Sequence, residues 1–135
     1  IKNSGAFYGI QNYGENHYNS YNNKCSCVHA EVDACKRVAR KYNHKANKKN
    51  KKVYNLVVIR TTKDGESLGM SRLCENCVLS VNNFSKNSGI KIKKIYYSNH
   101  QGEIEKTSLH KLMNDKNQHI SSYYRNHGYK SKLNN

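Results

Sequence analysis

Across residues 28–42 the apolar positions Val28, Val32, Cys35, Val38, Ala39 and Tyr42 recur at helical spacing, with Lys36, Arg37, Arg40 and Lys41 on the opposite side. The pattern predicts an amphipathic helix. Residues 53–60 form a nearly unbroken apolar run rich in β-branched side chains, which predicts a central strand buried on both faces. A turn at Asp64 and Gly65 and a polar loop lead to Cys74. Beyond it Val78, Leu79, Val81 and Phe84 outline a second amphipathic helix, closed by Gly89. Residues 90–97 predict another strand. The short link through 98–102 to residues 103–106 permits an antiparallel hairpin but not a parallel crossover, which needs about a dozen residues. In a rival pairing, residues 119–124 form the next strand, parallel, after a short helix over 108–116. The hairpin is preferred, and residues 117–135 are then an irregular tail. At the other end, residues 6–16 carry aromatic and aliphatic side chains near period two with glycines at the breaks, which predicts a short hairpin. Residues 17–24 have little periodicity and predict a loop, as does the basic stretch 43–52.

The 135 residues show no linker and no internal repeat, so 1–135 is read as one domain. No apolar run is long enough to cross a bilayer and nothing resembles a secretory leader, so no membrane partner and an intracellular setting, cytoplasmic or nuclear, are expected. The chain starts at Ile1 rather than Met, which leaves room for residues upstream.

A formal net charge of +15 ordinarily suggests a polyanionic partner. Most of it comes from Lys, with only five Arg, alongside abundant Asn and Tyr and no Pro or Trp. Codon bias toward A and T favours the same set, so a phosphate-binding surface and a bland solvated one stand level. Single-stranded nucleic acid is retained as a partner on this ground and on Tyr123, Tyr124 and Arg125, which suit base stacking as well as ordinary packing.

Candidate chemistry sits at the two predicted helix starts. His29 lies two residues ahead of Glu31, and Cys74 and Cys77 are one helical turn apart. Five cysteines without a secretory signal point to metal or catalytic use rather than a disulfide framework. Cys74 and Cys77, three apart, share one helical face. A helix N-terminus, with its partial positive charge and unpaired N–H groups, favours thiolates there. Three protein ligands with one open position characterise a catalytic zinc, whereas a structural zinc is closed by four. His29, Cys74 and Cys77 are the three candidates, and Glu31 remains free to move protons. A competing reading closes a structural zinc with Cys25 and Cys27. Cys35, on the apolar helix face, is read as core.

The segments His29-Ala30-Glu31 and Cys74-Glu75-Asn76-Cys77 resemble the signature of the zinc-dependent cytidine and deoxycytidylate deaminase family, over most of the chain. The family's proline before the first cysteine is replaced by Leu73, which removes a constraint on the turn entering the helix. The resemblance implies an α/β fold of three layers, α/β/α, with a mixed central sheet. It implies that His29, Cys74 and Cys77 bind Zn2+, and that Glu31 shuttles the proton while a cytosine becomes uracil. It further implies that Asn16 hydrogen-bonds the sugar, against a plain turn role after Gly14, and that backbone groups of Ala30, Arg72 and Leu73 lie near the base. The implied partner is a small nucleoside or nucleotide. A deaminase acting on cytosine in single-stranded DNA or adenine in RNA is the alternative, and a non-catalytic structural-zinc module a third. Small members of the family commonly form homo-oligomers.

Overall fold

The computed structural model describes residues 14, 17–21, 24–42 and 52–133. The expectation of strands over 6–16 therefore falls mostly outside the described residues, and so does Asn16. Strands β1 (His17–Tyr21) and β2 (Lys24–Val28) pair antiparallel, with His17 opposite Val28. This corrects the loop expected over 17–24. Backbone pairing in a two-stranded ribbon does not require apolar alternation, so Asn, Ser and Tyr conceal it.

Helix α1 (Ala30–Tyr42) follows at once, and the His29 carbonyl accepts from Val32 N and Asp33 N at 3.1 and 3.0 Å. His29 thus holds the residue position ahead of the helix, one step before its expected first turn. Gly14 lies against this helix start. A Cβ on Gly14 would collide with Ala30 O and Ala34 N. Both are main-chain atoms, so no side-chain rotation relieves the clash. Gly14→Ala is expected to lower stability by about 1–3 kcal/mol or more, read as the urea midpoint. A wild-type midpoint would sink the claimed close approach.

Strand β3 (Lys52–Val58) runs parallel to β6 (Ile90–Ser98), which pairs antiparallel with β7 (Ile104–Ser108). Two short strands, β4 (Arg60–Thr61) and β5 (Leu68–Gly69), form a separate ribbon around the turn at Gly65. In the order β3-β6-β7 the central strand is β6. Among the described residues the expectation of a central strand buried on both faces is corrected for β3: Lys52, Val53 and Asn55 are exposed, Val53 at 54%, and Leu56 is the buried residue of the strand.

One extra residue sets the register of β6. Between Tyr54 and Leu56 of β3 the partner advances from Ile92 to Ile95. This bulge resets the alternation, so Ile90, Ile92 and Ile95 are all buried while Lys91 and Lys93 are exposed. The doubled Lys93-Lys94 is the sequence mark of that step.

The preferred hairpin is the one observed. Asn99 Oδ1 accepts from Gln101 N and Glu103 N at 3.0 and 2.9 Å, and Gly102 supplies the positive φ that the turn requires.

Helix α2 (Glu75–Asn87) buries Cys77, Val78 and Val81. Its end is made by Ser88, whose N–H and hydroxyl both turn back to the Phe84 carbonyl. Gly89 does not close the helix as expected. Its carbonyl instead accepts from Lys52 N at 2.9 Å, joining the first residues of β3 and β6.

Helix α3 (Leu109–Met113) is started by the Ser108 hydroxyl, and α4 (Ser122–Asn126) interrupts the expected irregular tail. Cys35 and Val38 of α1, Val78 and Val81 of α2, the β6 isoleucines, and Leu109 and Leu112 of α3 share one core. Among the described residues the arrangement is mixed α/β, a three-stranded mixed sheet with helices packed on it, compatible with an α/β/α fold. Among the described residues no helix is long and apolar enough to cross a membrane.

Candidate metal centre

The segment before α2 is stapled to the carboxyl ends of the two parallel strands. Ser71 Oγ donates to Val58 O at 2.7 Å, Ser98 N donates to Ser71 Oγ at 2.8 Å, and Ser98 Oγ donates to Gly69 O at 2.6 Å. Ser98 is fully buried, whereas Val58, Gly69 and Ser71 are half-buried. Ser98→Ala removes the hydroxyl donor to the half-buried Gly69 carbonyl and is expected to cost about 1 kcal/mol, measured by denaturant unfolding. These serines bring Cys74 to the edge of the sheet where α/β proteins commonly bind ligands.

Cys74 caps α2 in extended conformation, and Cys77 lies one turn in. Both thiols are buried. Because α1 packs against α2, His29 at the start of α1 meets them. His29 Nδ1 is 3.0 Å from Cys77 Sγ and 3.5 Å from Cys74 Sγ, and the two sulfurs are 3.4 Å apart. These three side chains form a group able to hold a metal ion. Two half-motifs separated by more than forty residues are thereby united as expected. The closure by Cys25 and Cys27 rests on side chains outside the described residues.

The three side chains are electrostatically coupled. The neighbouring Cys77 thiol, with help from His29 and against the effect of burial, holds the Cys74 thiol down to about 4. Cys77 is driven up instead, first by Cys74 and then by burial. Two sulfurs in contact cannot both ionise without a compensating cation. His29 is raised, above all by its hydrogen bond to Cys74 and in spite of burial. Cys77 is nearer, but Cys74 carries the charge. A metal ion placed among the three would displace the remaining protons.

Glu31 is 8% exposed, and burial raises its carboxyl above the ordinary range. Its side chain hydrogen-bonds Cys77. A carboxylate two residues from His29 therefore does reach the ligand group, because it points inward from the first turn of α1. Cys35 is core as expected, with its thiol pushed up to about 12 by burial.

Ala30, Arg72 and Leu73, the residues expected near a base through their backbone groups, flank the two helix starts. Leu73 is fully buried under the helix start, and Ala30 is half-buried at the head of α1. Arg72 is half-buried and forms an ion pair with Asp115, from the loop after α3. Tyr124 of α4 meets His29 edge to face, with ring centroids 6.4 Å apart, and lies 5.4 Å from the Tyr129 ring.

Glu75 was not singled out in the sequence, yet it is fully buried beside the ligands. Its carboxylate accepts from Tyr129 Oη and Ser131 Oγ, each at 2.6 Å, from Leu133 N at 2.7 Å, and from Lys132 N at 3.1 Å. Burial alone would raise its pKa, but the hydroxyl and N–H donors together hold it down to about 2. The available signal was an acidic residue in the first turn of a helix, between two cysteines.

Comparison with protein-family models, curated proteins and solved structures finds no match to this chain.

Proposed function

We propose that the protein is a zinc-dependent hydrolytic deaminase acting on the cytosine of a free nucleoside or nucleotide. The observation that carries this reading is the buried carboxyl of Glu31 set against a group of one imidazole and two thiols. Bonds of about 2.3 Å to sulfur and 2.0 Å to nitrogen at tetrahedral angles place ligand atoms roughly 3.5–3.8 Å apart. The spacings of 3.0, 3.5 and 3.4 Å among His29, Cys74 and Cys77 equal that or fall short of it by no more than about 0.5 Å. Three ligands leave the fourth position of zinc open, which is the catalytic pattern.

Zinc, when bound, supplies Lewis acidity that activates water at neutral pH. Glu31 does the proton work. Its carboxylate takes a proton from the attacking water and returns it to the departing nitrogen, so that a C–O bond forms at C4, the C–N bond breaks and ammonia leaves. Burial favours its protonated form, which suits the half of the cycle in which it must donate. The sulfurs and imidazole hold the metal, and the closed core beneath them keeps bulk water to one side.

The test is incubation of the zinc-loaded protein with cytidine, deoxycytidine, deoxycytidylate and oligonucleotides, read by mass spectrometry. Conversion raises the mass by about one dalton as an amine is replaced by oxygen. If all three free substrates are untouched, the reading fails. Conversion confined to oligonucleotides would favour the polynucleotide alternative, for which the position of Tyr124 beside His29 speaks. Four thiolates in the spectrum of the cobalt-substituted protein would instead identify a structural zinc module.

A further inference from the structure

The clamp on Glu75 joins two parts of the chain that have no covalent reason to meet. Glu75 opens α2 between the ligands Cys74 and Cys77, while all four donors to its carboxylate come from residues 129–133. A second tie runs beside it, since Glu75 N donates to His119 O at 2.7 Å. The segment between these ties includes α4, and Tyr124 of α4 sets its ring edge against the His29 imidazole. Tyr129 serves both ends of the arrangement: its hydroxyl donates to Glu75 and its ring backs Tyr124. Leu133 then packs onto the core.

A fully buried carboxylate is costly unless its lone pairs are filled, and here they are filled by one segment alone among the described residues. The carboxylate is therefore a selective anchor, because release of residues 129–133 would strand it. Its neighbour on one side is a metal ligand, and the segment that it captures covers another.

We propose that Glu75 is a positioning residue for the metal centre: by capturing residues 129–133 it holds Tyr124 on His29, so that the C-terminal segment forms one wall of the site. The inference needs only the His29, Cys74 and Cys77 group, not deaminase chemistry, and its failure would leave that chemistry untouched.

The experiment uses the full chain loaded with cobalt and compares wild type with Glu75→Gln and Tyr124→Ala. Glutamine keeps the size of the side chain but presents two donors to a site made of donors. In Glu75→Gln, tryptic cleavage after Arg125, Lys130 and Lys132 should accelerate about tenfold relative to cleavage at Lys91 of the central strand β6, which serves as an internal reference for global opening. Loss of cobalt to excess chelator should accelerate about tenfold in both variants, as for loss of a group that supports a metal ligand. The visible cobalt spectrum should change in the same sense in both. Should Glu75→Gln not fold, Tyr129→Phe and Ser131→Ala each remove a single hydroxyl donor and are read by the same three measurements, with smaller changes in the same direction. Wild-type cleavage of the tail in the clamp variants overturns the proposal. So does a freed tail with wild-type cobalt spectrum and release, because the segment would then be anchored without walling the site.

Discussion

On the proposed deaminase chemistry, Glu31→Gln is expected to reduce turnover by about 10²–10⁴-fold without change in zinc content. The substitution is close to isosteric, and the side chain is 8% exposed, so packing against α2 should change little. What is removed is the capacity to take and return a proton. The carboxyl hydrogen-bonds Cys77, yet the ligand group is made by His29, Cys74 and Cys77 without it. Zinc content and turnover should therefore separate. The check pairs metal analysis with kcat on the best substrate of the panel. Turnover within tenfold of wild type would remove Glu31 from the proton path. Loss of zinc along with activity would assign it a structural part in the centre instead.

The features most legible in the sequence are those that depend on periodicity or on a short local link. Val32, Cys35 and Val38 mark α1, and Val78, Val81 and Phe84 mark α2. The brevity of residues 98–103 leaves an antiparallel hairpin as the simple solution. The grouping of His29, Cys74 and Cys77 is readable for a related reason: His29 and Cys74 both sit at helix starts, and adjacent helices entering from one edge of a sheet bring their starts together. Other features lacked such a signal. The β-branched run of β3 has the composition of a central strand, but composition does not state which strand has two neighbours, and β6 has them. The β1–β2 ribbon pairs through main-chain groups, which every residue carries. The C-terminal segment is held by two backbone N–H groups and two hydroxyls on a single carboxylate, a bond pattern with no period. Its partner Glu75 lies more than fifty residues away and reads locally as an ordinary acidic helix start.

Removal of zinc is expected to lower the melting temperature by on the order of 10 °C. Ligand bound only by the native state at about a thousand times its Kd adds about 4 kcal/mol, and in a chain of this size each kcal/mol is worth roughly 3–5 °C. The ligands occupy a place where that energy is transmitted. Cys74 and Cys77 are buried members of the core that also contains Val78 and Ile95, and His29 joins them from the other helix. Cys74 and burial drive the Cys77 thiol upward, which favours a proton on that sulfur when no cation is bound. Zinc must displace that proton, so binding consumes less free energy at high pH and competes with protons at low pH. The melting-temperature gap between zinc-loaded and chelated protein should therefore narrow as pH falls. Cys77→Ala retains a small apolar side chain but removes a ligand, and its melting temperature should be insensitive to chelator at every pH. A wild-type protein that melts within about 2 °C with and without chelator, against the several degrees that one kcal/mol is worth, would reduce the three side chains to closely packed core thiols beside a histidine. Persistence of the gap in Cys77→Ala would place the ion elsewhere in the chain.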